Sequence, residues 1–396
     1  MDNVDPKVDE AIQTLNMKDG TSRRRLLTGT GLVSASAAAS ALLAACSSSS
    51  GSASSSSSAT AAASTAGHFP ATPKWQFWFV NHVYTNPFFV PTQYGFQDAA
   101  ALLDLPVPKW GGSASTSSVP EMVSFLNSAI AANADGIATT VISSSGFTAP
   151  VARAMSAGIP VISYNADGTV TNGVPDIGTN RLCYVGQALY NSGQAMGNRI
   201  LSLVSSGEVV IFIATPGTGN IQPRYDGAAA VIKASGKPIT VTEIATGAAT
   251  SVELGAEKAY LLGHKSSIKG AFAVDAGSTG FLGSALASTG LVGKIPAGGF
   301  DLTSPTLNAI KAGQIDFTID QEPYMQGFLP VLYLYLFKLS GGLVLPPDTD
   351  TGLTFVTKSN VGPYLTTTSR FEGSSTAQKL IPRSGPIVNP TATTST

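Results

Sequence analysis

Several polar side chains stand immediately after short apolar runs, which is where an α/β sheet delivers its chemistry. Asn81 and His82 close one run, Asn165 closes another, and Asp275, Asp301 and the pair Asp320-Gln321 close three more. In an open parallel sheet, ligands sit in the crevice beyond the carboxyl ends of the strands, at the point where strand order reverses. Strand ends also reach the surface in any such fold, so each residue alone is more often a loop polar than a ligand contact; it is their recurrence that points to a site. Asp275 and Asp301 are carboxylates, and two carboxylates facing a sugar could in principle cleave a glycosidic bond. The other signatures of catalysis are missing: there is no Gly-x-Ser-x-Gly elbow, no His-Glu-x-x-His motif and no Walker loop. Gly217-Thr218-Gly219 follows an apolar run but has Gln222 where a dinucleotide fingerprint needs its third glycine, so it reads as a loop. His68, His82 and His264 are the only histidines, too scattered for a metal site, and no cofactor is expected.

Those positions require strands and helices in alternation, and the chain supplies them. Apolar runs alternate with helical patterns, the signature of a parallel sheet covered on both faces. A first set of strands is predicted at 75–82, 107–111, 136–143 and 160–165, with helices over 87–103, 119–132 and 148–157. Gly158-Ile159-Pro160 ends the last of these helices, as a C-terminal Gly followed by Pro should. A second set is predicted at 208–215, 238–245, 270–275 and 298–301, with helices over 187–204, 222–234, 252–263, 279–287 and 305–312. A strand at 317–320, a strongly apolar helix over 323–339 and a strand at 353–357 complete the pattern. The expected fold class is α/β, with two doubly wound parallel-sheet lobes.

The ends of the chain read differently. Arg23, Arg24 and Arg25 precede a weakly apolar run that closes in Leu43-Ala44-Ala45-Cys46. Positive charge, an apolar segment and small residues before a cleavage site make an export signal over 1–45, and paired arginines point to the twin-arginine route. The run is interrupted by Thr28, Gly29, Thr30, Gly31, Ser34, Ser36 and Ser40, which makes it a poor membrane span. Residues 47–66 are almost entirely Ser, Ala, Thr and Gly, so the segment 46–73 reads as a flexible leash. Residues 366–396 form a Ser/Thr/Pro-rich tail with no readable role. A net charge of −1 with 12% charged residues leaves no basic footprint for nucleic acid. Cys183 is the only cysteine besides Cys46; it is expected to pack as a small apolar side chain, with no internal disulfide.

Asn86-Pro87-Phe88-Phe89 has a local explanation, since Asn is a favoured N-cap, Pro suits the first helical position, and the phenylalanines could be core. Within Asn81-His82-Val83-Tyr84-Thr85-Asn86-Pro87-Phe88-Phe89, however, it resembles the first strand-to-helix turn of the ribose-binding-protein family, the monosaccharide receptors of bacterial ABC transporters. Further matches follow in order. Gly158-Ile159-Pro160-Val161-Ile162-Ser163-Tyr164-Asn165 resembles a strand ending at a sugar-binding polar residue, and Arg224-Tyr225-Asp226-Gly227 the turn and helix that supply an arginine. Phe272-Ala273-Val274-Asp275 is similar to a strand ending in Asn or Asp, and Gly299-Phe300-Asp301 to the strand whose aspartate binds sugar hydroxyls. Ile319-Asp320-Gln321-Glu322-Pro323-Tyr324-Met325-Gln326-Gly327 resembles the segment that carries a ligand glutamine and crosses back between lobes. The chain also departs from the pattern. His82 replaces a serine, Asn165-Ala166 replaces an Asp-Arg pair, Asp275 replaces an asparagine, and the arginine position falls on Gln222 or on Arg224. These departures point away from ribose itself.

The resemblance implies a type I periplasmic binding protein. Its N-terminal lobe would comprise 74–186 plus 322–356 and its C-terminal lobe 187–321 plus 357–365, with a multi-strand hinge crossing near Gly186-Gln187, Gln321-Glu322 and 355–358. It implies ligand-binding roles for His82, Asn86, Phe88, Phe89, Asn165, Gln222 or Arg224, Asp275, Asp301 and Gln321. These residue types suit a sugar, which presents hydroxyls around its rim to carboxylates, amides and a guanidinium, and C–H faces to aromatic rings. His82 could join the rim or make a structural hydrogen bond. The Leu-Ala-Ala-Cys ending resembles the lipobox of bacterial lipoproteins, in which the cysteine thiol is acylated after cleavage. The expectation is a monomeric lipoprotein on the outer face of a bacterial membrane that captures a monosaccharide or sugar alcohol and hands it to an ABC permease, making and breaking no bond. Its rivals are a receptor for a sensor or chemoreceptor, a receptor for a furanosyl signalling molecule and, remotely, a glycoside hydrolase; a DNA-binding regulator of the same fold would need a helix-turn-helix where the export signal stands. Cys46→Ala is expected to release the protein from membranes or to block its processing, and mass spectrometry of the exported protein should find Cys46 as the lipid-bearing first residue.

Overall fold

The computed structural model of the protein describes residues 71–171 and 173–366. The expected export signal over 1–45, Cys46, the leash as far as residue 70 and the tail from 367 onward lie outside the described residues. In chain order the elements are β1 Phe77–Asn81, α1 Val90–Leu102, β2 Lys109–Gly112, α2 Val119–Ala131, β3 Gly136–Val141, α3 Ser144–Ser156 and β4 Val161–Asp167. A hairpin of β5 Thr169–Thr171 and β6 Val174–Asp176 follows, then β7 Tyr184–Gly186 and α4 Leu189–Leu203. The next part comprises β8 Gly207–Ile213, α5 Gln222–Ala234, β9 Ile239–Ala245, α6 Thr250–Gly263, β10 Ile268–Ala273 and α7 Ala276–Thr289. It continues through β11 Ala297–Phe300, α8 Ser304–Ala312, β12 Phe317–Asp320, α9 Met325–Leu339, β13 Thr349–Asp350, β14 Thr354–Thr357 and α10 Gly362–Thr366.

Two six-stranded sheets result, with strand orders β13-β7-β4-β3-β1-β2 and β14-β12-β11-β10-β8-β9. All pairings in them are parallel except β12 with β14. Because side chains alternate across a strand, β1 sends Phe77 and Phe79 to one face and Val80 to the other. The first face packs on α1 and α9 through Phe96, Val331, Leu334 and Tyr335; the second packs on α2 and α3 through Met122, Leu126, Phe147 and Val151. The second sheet is covered likewise, by α4 and α5 on one side and by α6, α7 and α8 on the other. Both sheets therefore have two buried faces, which is why their strands read as continuous apolar runs.

Three details differ from the sequence expectations. The helix expected from 148 begins at Ser144, because Ser143 accepts the Gly146 amide as an N-cap, so that Pro150 falls inside the helix. The hairpin β5–β6, β7 and β13 were not anticipated; each has only two or three residues, too few to show a period. The third crossing falls between Asp350 and Thr354, ahead of the boundary expected at 356/357, since β14 pairs with β12 in the second sheet while β13 pairs with β7 in the first.

α9 returns to the first lobe after the second crossing and lies on α1 with almost no side-chain spacer. A Cβ at Gly327 would stand 1.9 Å from the Thr92 carbonyl oxygen, so only a glycine fits. Gly327→Ala is expected to lower the unfolding free energy by about 2 kcal/mol, the scale of core overpacking. Gly255→Ala, on α6 with nothing within 4 Å of the new Cβ, should raise it by about 0.5–1 kcal/mol through helix propensity. Chemical denaturation of the two variants checks both signs.

Candidate functional site

In each sheet the strand order reverses beside the first strand, between β1 and β2 or β3 in one and between β8 and β9 or β10 in the other. The strand ends at these points open into one cleft of about 590 Å³. The first lobe contributes His82, Asn86, Phe88 and Phe89 after β1, and Asn165 on β4; the second contributes Arg224 on α5, Asp275 after β10, Asp301 after β11 and Gln321 after β12. Gln222 is the sequence-expected residue that does not line it. Its Oε1 accepts the Gly217 amide at 2.6 Å, and its Nε2 donates to Asp226 at 3.0 Å and Glu243 at 3.2 Å. Two residues along a helix are about 200° of rotation, so 222 and 224 face opposite ways, and of the two it is Arg224 that lines the cleft.

Backbone strain aims two of these side chains. Asn165 and Asp301 have φ of 62° and 75°, left-handed values that non-glycine residues seldom adopt. At Asn165 the strand bulges, the β3 span Thr139–Val141 standing opposite the β4 span Ser163–Asp167. Asp301 is held by its own backbone, which donates to the Ile319 carbonyl at 2.8 Å and accepts from the Thr318 hydroxyl at 2.8 Å.

Arg224 is the cation of the cleft. α5 can bring it there because α4 and α5 touch at glycine: a Cβ at Gly193 would stand 2.1 Å from the Arg224 carbonyl oxygen. Its guanidinium, 2% exposed at the residue level, donates to Gln187 Oε1 at 2.9 and 3.2 Å and to the Val274 carbonyl at 3.0 Å, and lies 4.3 Å over the Phe300 ring. Burial lowers its pKa, while the charges of Asp301 and Asp275 oppose that shift. Burial pushes Asp301 up to about 6, against the pull of Arg224 and of the Gln321 amide that donates to it at 2.6 Å.

Other expected ligand residues already carry structural duties. Asp275 caps α7 through the Ser278 amide at 2.9 Å and takes the Ala214 amide at 2.8 Å. Asn86 Oδ1 caps the turn at Pro87–Phe89 through the Phe88 amide, which is the local reading of that motif. The His82 ring pairs with Thr140 Oγ1 at 3.2 Å and, across the cleft, with Asn220 Nδ2 at 3.2 Å; burial drops its pKa to about 4, so it is neutral. Phe88 and Phe89 belong to the first lobe's core, in a buried cluster that also takes in Ala276 of the second lobe.

The lobes are tied at the crossings by amides. Gln187 Nε2 donates to the Gly352 carbonyl at 3.1 Å while its Oε1 holds Arg224. Asn165 Nδ2 donates to Gln326 Oε1 at 3.0 Å, and Gln326 Nε2 donates to the Gln321 carbonyl at 2.9 Å and to Thr351 at 3.1 Å. On the far side of the cleft the Gly219 amide of the second lobe donates to the Ile142 carbonyl of the first at 2.9 Å. The lobes therefore meet both at the hinge and at the opposite rim.

Sequence reasoning passed over Asn220, Glu253, Phe281 and Thr303, all of which line the cleft. Asn220 follows a strand, so the strand-end rule applied to the loop after β8 would have found it; Glu253, one turn into α6, carries no local signal. Among the described residues no group of three or more His, Cys, Asp or Glu is placed to hold a metal ion, and no described helix is long and apolar enough to cross a membrane. Cys183 is fully buried.

Residues 77–338 match the periplasmic binding protein domain. The chain is 48% identical over 339 residues to the xylose/arabinose-binding protein XylF of Sulfolobus acidocaldarius, covering 83% of this chain and 80% of that one. It is similar to the crystal structure of an ABC transporter solute binding protein from Burkholderia graminis in complex with D-arabinose, at 25% identity, with 75% of this chain and 99% of that one covered and a TM-score of 0.66. A sugar-binding protein of a sugar ABC transporter from Bacillus halodurans aligns at 25% identity over 73% of this chain and 99% of its own, with a TM-score of 0.62.

The cleft and the wall behind it hold more buried carboxyls than cations. Asp301 is raised to about 6, Glu253 and Asp320 to about 8 and Glu257 to about 10, in each case first by burial. An unfolded chain releases these protons near pH 4, so between that value and the native one the folded state holds more protons and stability falls as pH rises. His82, depressed in the fold, acts oppositely but only below its ordinary value near 6.5. Thermal melts of the ligand-free protein should therefore drop steadily from pH 7 to pH 9, and Glu257→Gln should flatten that slope and add about 2 kcal/mol of stability at pH 8.

Proposed function

We propose, since the chain belongs to the periplasmic binding protein family, that it captures a monosaccharide or sugar alcohol, with pentoses first among them, between its two lobes and delivers it to an ABC permease. The observation that carries this reading is the convergence on one cleft of polar strand ends from both sheets, around a buried guanidinium and beside Phe88 and Phe89. Carboxylate, amide and guanidinium groups at a rim match hydroxyls, and aromatic faces match C–H surface. A hydrogen bond to a charged group contributes about 1.5–3 kcal/mol, while a missing ligand hydroxyl leaves a buried group unpaired, so the same atoms give affinity and selectivity. The pentose preference is supported by the XylF relative and by the D-arabinose complex among the similar structures.

The family places such a protein outside the cytoplasm. The finer address is export with a lipid on Cys46, which tethers the protein beside its permease. Binding works by population shift: a ligand that touches both lobes favours the closed arrangement by its extra contacts there. Hydrolysis is disfavoured by the state of Asp275, whose carboxylate is taken up by the Ser278 and Ala214 amides instead of standing free opposite Asp301.

Titration calorimetry with D-xylose, L-arabinose, D-arabinose, D-ribose, D-glucose and myo-inositol tests the reading. Stoichiometric binding of at least one, with the sugar recovered unchanged, is expected; steady production of new sugar species would overturn it. Asp301→Ala should weaken the bound sugar by about 2 kcal/mol or more, over tenfold, whereas Gln222→Ala should bind as the wild type does.

A further inference from the structure

Two residues that line the cleft each carry a buried oxygen with no hydrogen-bond partner, Asn220 Oδ1 and Glu253 Oε2. Folded proteins pair nearly all such atoms, and one left unpaired costs about 1–3 kcal/mol. Asn220 is still engaged through Nδ2, which meets His82. Glu253 stands differently. Its residue is 3% exposed, and its carboxyl lies over the start of α7, where a Cβ at Gly277 would come within 2.2 Å of Oε2 and 2.4 Å of Oε1. The absence of a side chain at Gly277 makes room for that carboxyl. One turn further along α6, Glu257 is fully buried and both of its own oxygens are likewise without a partner, so no hydrogen bond joins the two acids. Neither neighbour satisfies Glu253 Oε2 in this structure; a molecule in the cleft can.

We propose that Glu253 is a specificity-determining residue of the cleft, hydrogen-bonding one hydroxyl of the bound sugar or polyol from the α6 side, beyond Asp275. The inference rests on the proposed sugar-binding function and extends the recognising set to a residue outside the strand ends. Burial, reinforced by the charge of Asp275, raises Glu253 to about 8, so at neutral pH the group is a carboxylic acid that both donates and accepts. A sugar hydroxyl is likewise donor and acceptor, and can meet both of its atoms. A ligand lacking that hydroxyl leaves the acid unpaired in a closed cleft, which is the strong form of discrimination. Glutamine also presents one acceptor and a donor at this position, whereas methionine fills similar space with neither.

The test uses the full chain and calorimetry against D-xylose, 1,5-anhydroxylitol and the 2-, 3- and 4-deoxy analogues of D-xylose. With the wild type, one of the four analogues should bind at least tenfold more weakly than D-xylose because of Glu253. Glu253→Met should weaken D-xylose at least tenfold and bind that analogue no more weakly than D-xylose, while Glu253→Gln should keep D-xylose within about threefold of the wild type. Thermal melts report folding of each variant; replacing a buried unpaired acid should leave the ligand-free protein at least as stable at neutral pH. If Glu253→Met binds D-xylose with wild-type affinity, or weakens all five ligands by one common factor, Glu253 is a packing residue and the inference is overturned. If the wild type binds none of the sugars tried here or in the wider panel above, the functional reading itself fails and takes the inference with it.

Discussion

The buried guanidinium of Arg224 is the interaction on which both the cleft and the hinge depend. Taking a charge of this size out of water costs several kcal/mol unless it is paired and hydrogen-bonded. Here the compensation comes from two bonds to Gln187 Oε1, one to the Val274 carbonyl, the face of Phe300 and the neighbouring Asp301 and Asp275. Gln187 lies where the chain first leaves one lobe for the other, and its amide nitrogen reaches the Gly352 carbonyl at the third crossing. The residue whose charge offsets the site's carboxylates is thus anchored to two of the crossings between the lobes. Substitution of Arg224 would leave carboxylates without a counter-charge and the hinge amide without its main donor.

The surroundings are built for rigidity and the junction for change. Each sheet is sealed on both faces by apolar clusters that pack at crystalline density and transmit displacement rather than absorb it. The crossings, by contrast, are joined by amide side chains: Asn165, Gln187, Gln321 and Gln326 exchange hydrogen bonds with one another or with backbone carbonyls. Such bonds are re-formed with water at small net cost, whereas apolar cores are not. Motion of the lobes as bodies about three strand crossings is the expected consequence, as in the hinge closure of two-lobed binding proteins.

The electrostatics of the cleft also favour a polar occupant. Burial raises Asp275, Asp301 and Glu253, with one buried guanidinium set against them and a neutral His82. An anion entering this space would meet carboxyl groups, and a large apolar molecule would strand them. A neutral, hydroxyl-rich molecule can pair with each group in whichever protonation state it holds. That match is why a chain with a net charge of −1 and few charged residues can nonetheless concentrate charge at one point.

Much of this was legible because its causes are local. Apolar runs, N-caps and the Gly-Ile-Pro helix end are written within a few residues, so the strands, the helices and the strand-end polars His82, Asn165, Asp301 and Gln321 could be placed without coordinates. The split between Gln222 and Arg224 was not, since it turns on which face of α5 meets α4 through Gly193. Nor could sequence show that Asp275 is engaged in capping, that the third crossing comes before Thr354, or that Glu253 faces the cleft with an oxygen unpaired. Local pattern by itself determined two doubly wound lobes and the polar strand ends at their mouth. Tertiary structure alone decided which of their atoms are already spoken for, because a hydrogen-bond partner far away in sequence leaves no mark in the period or the spacing of the residue it satisfies.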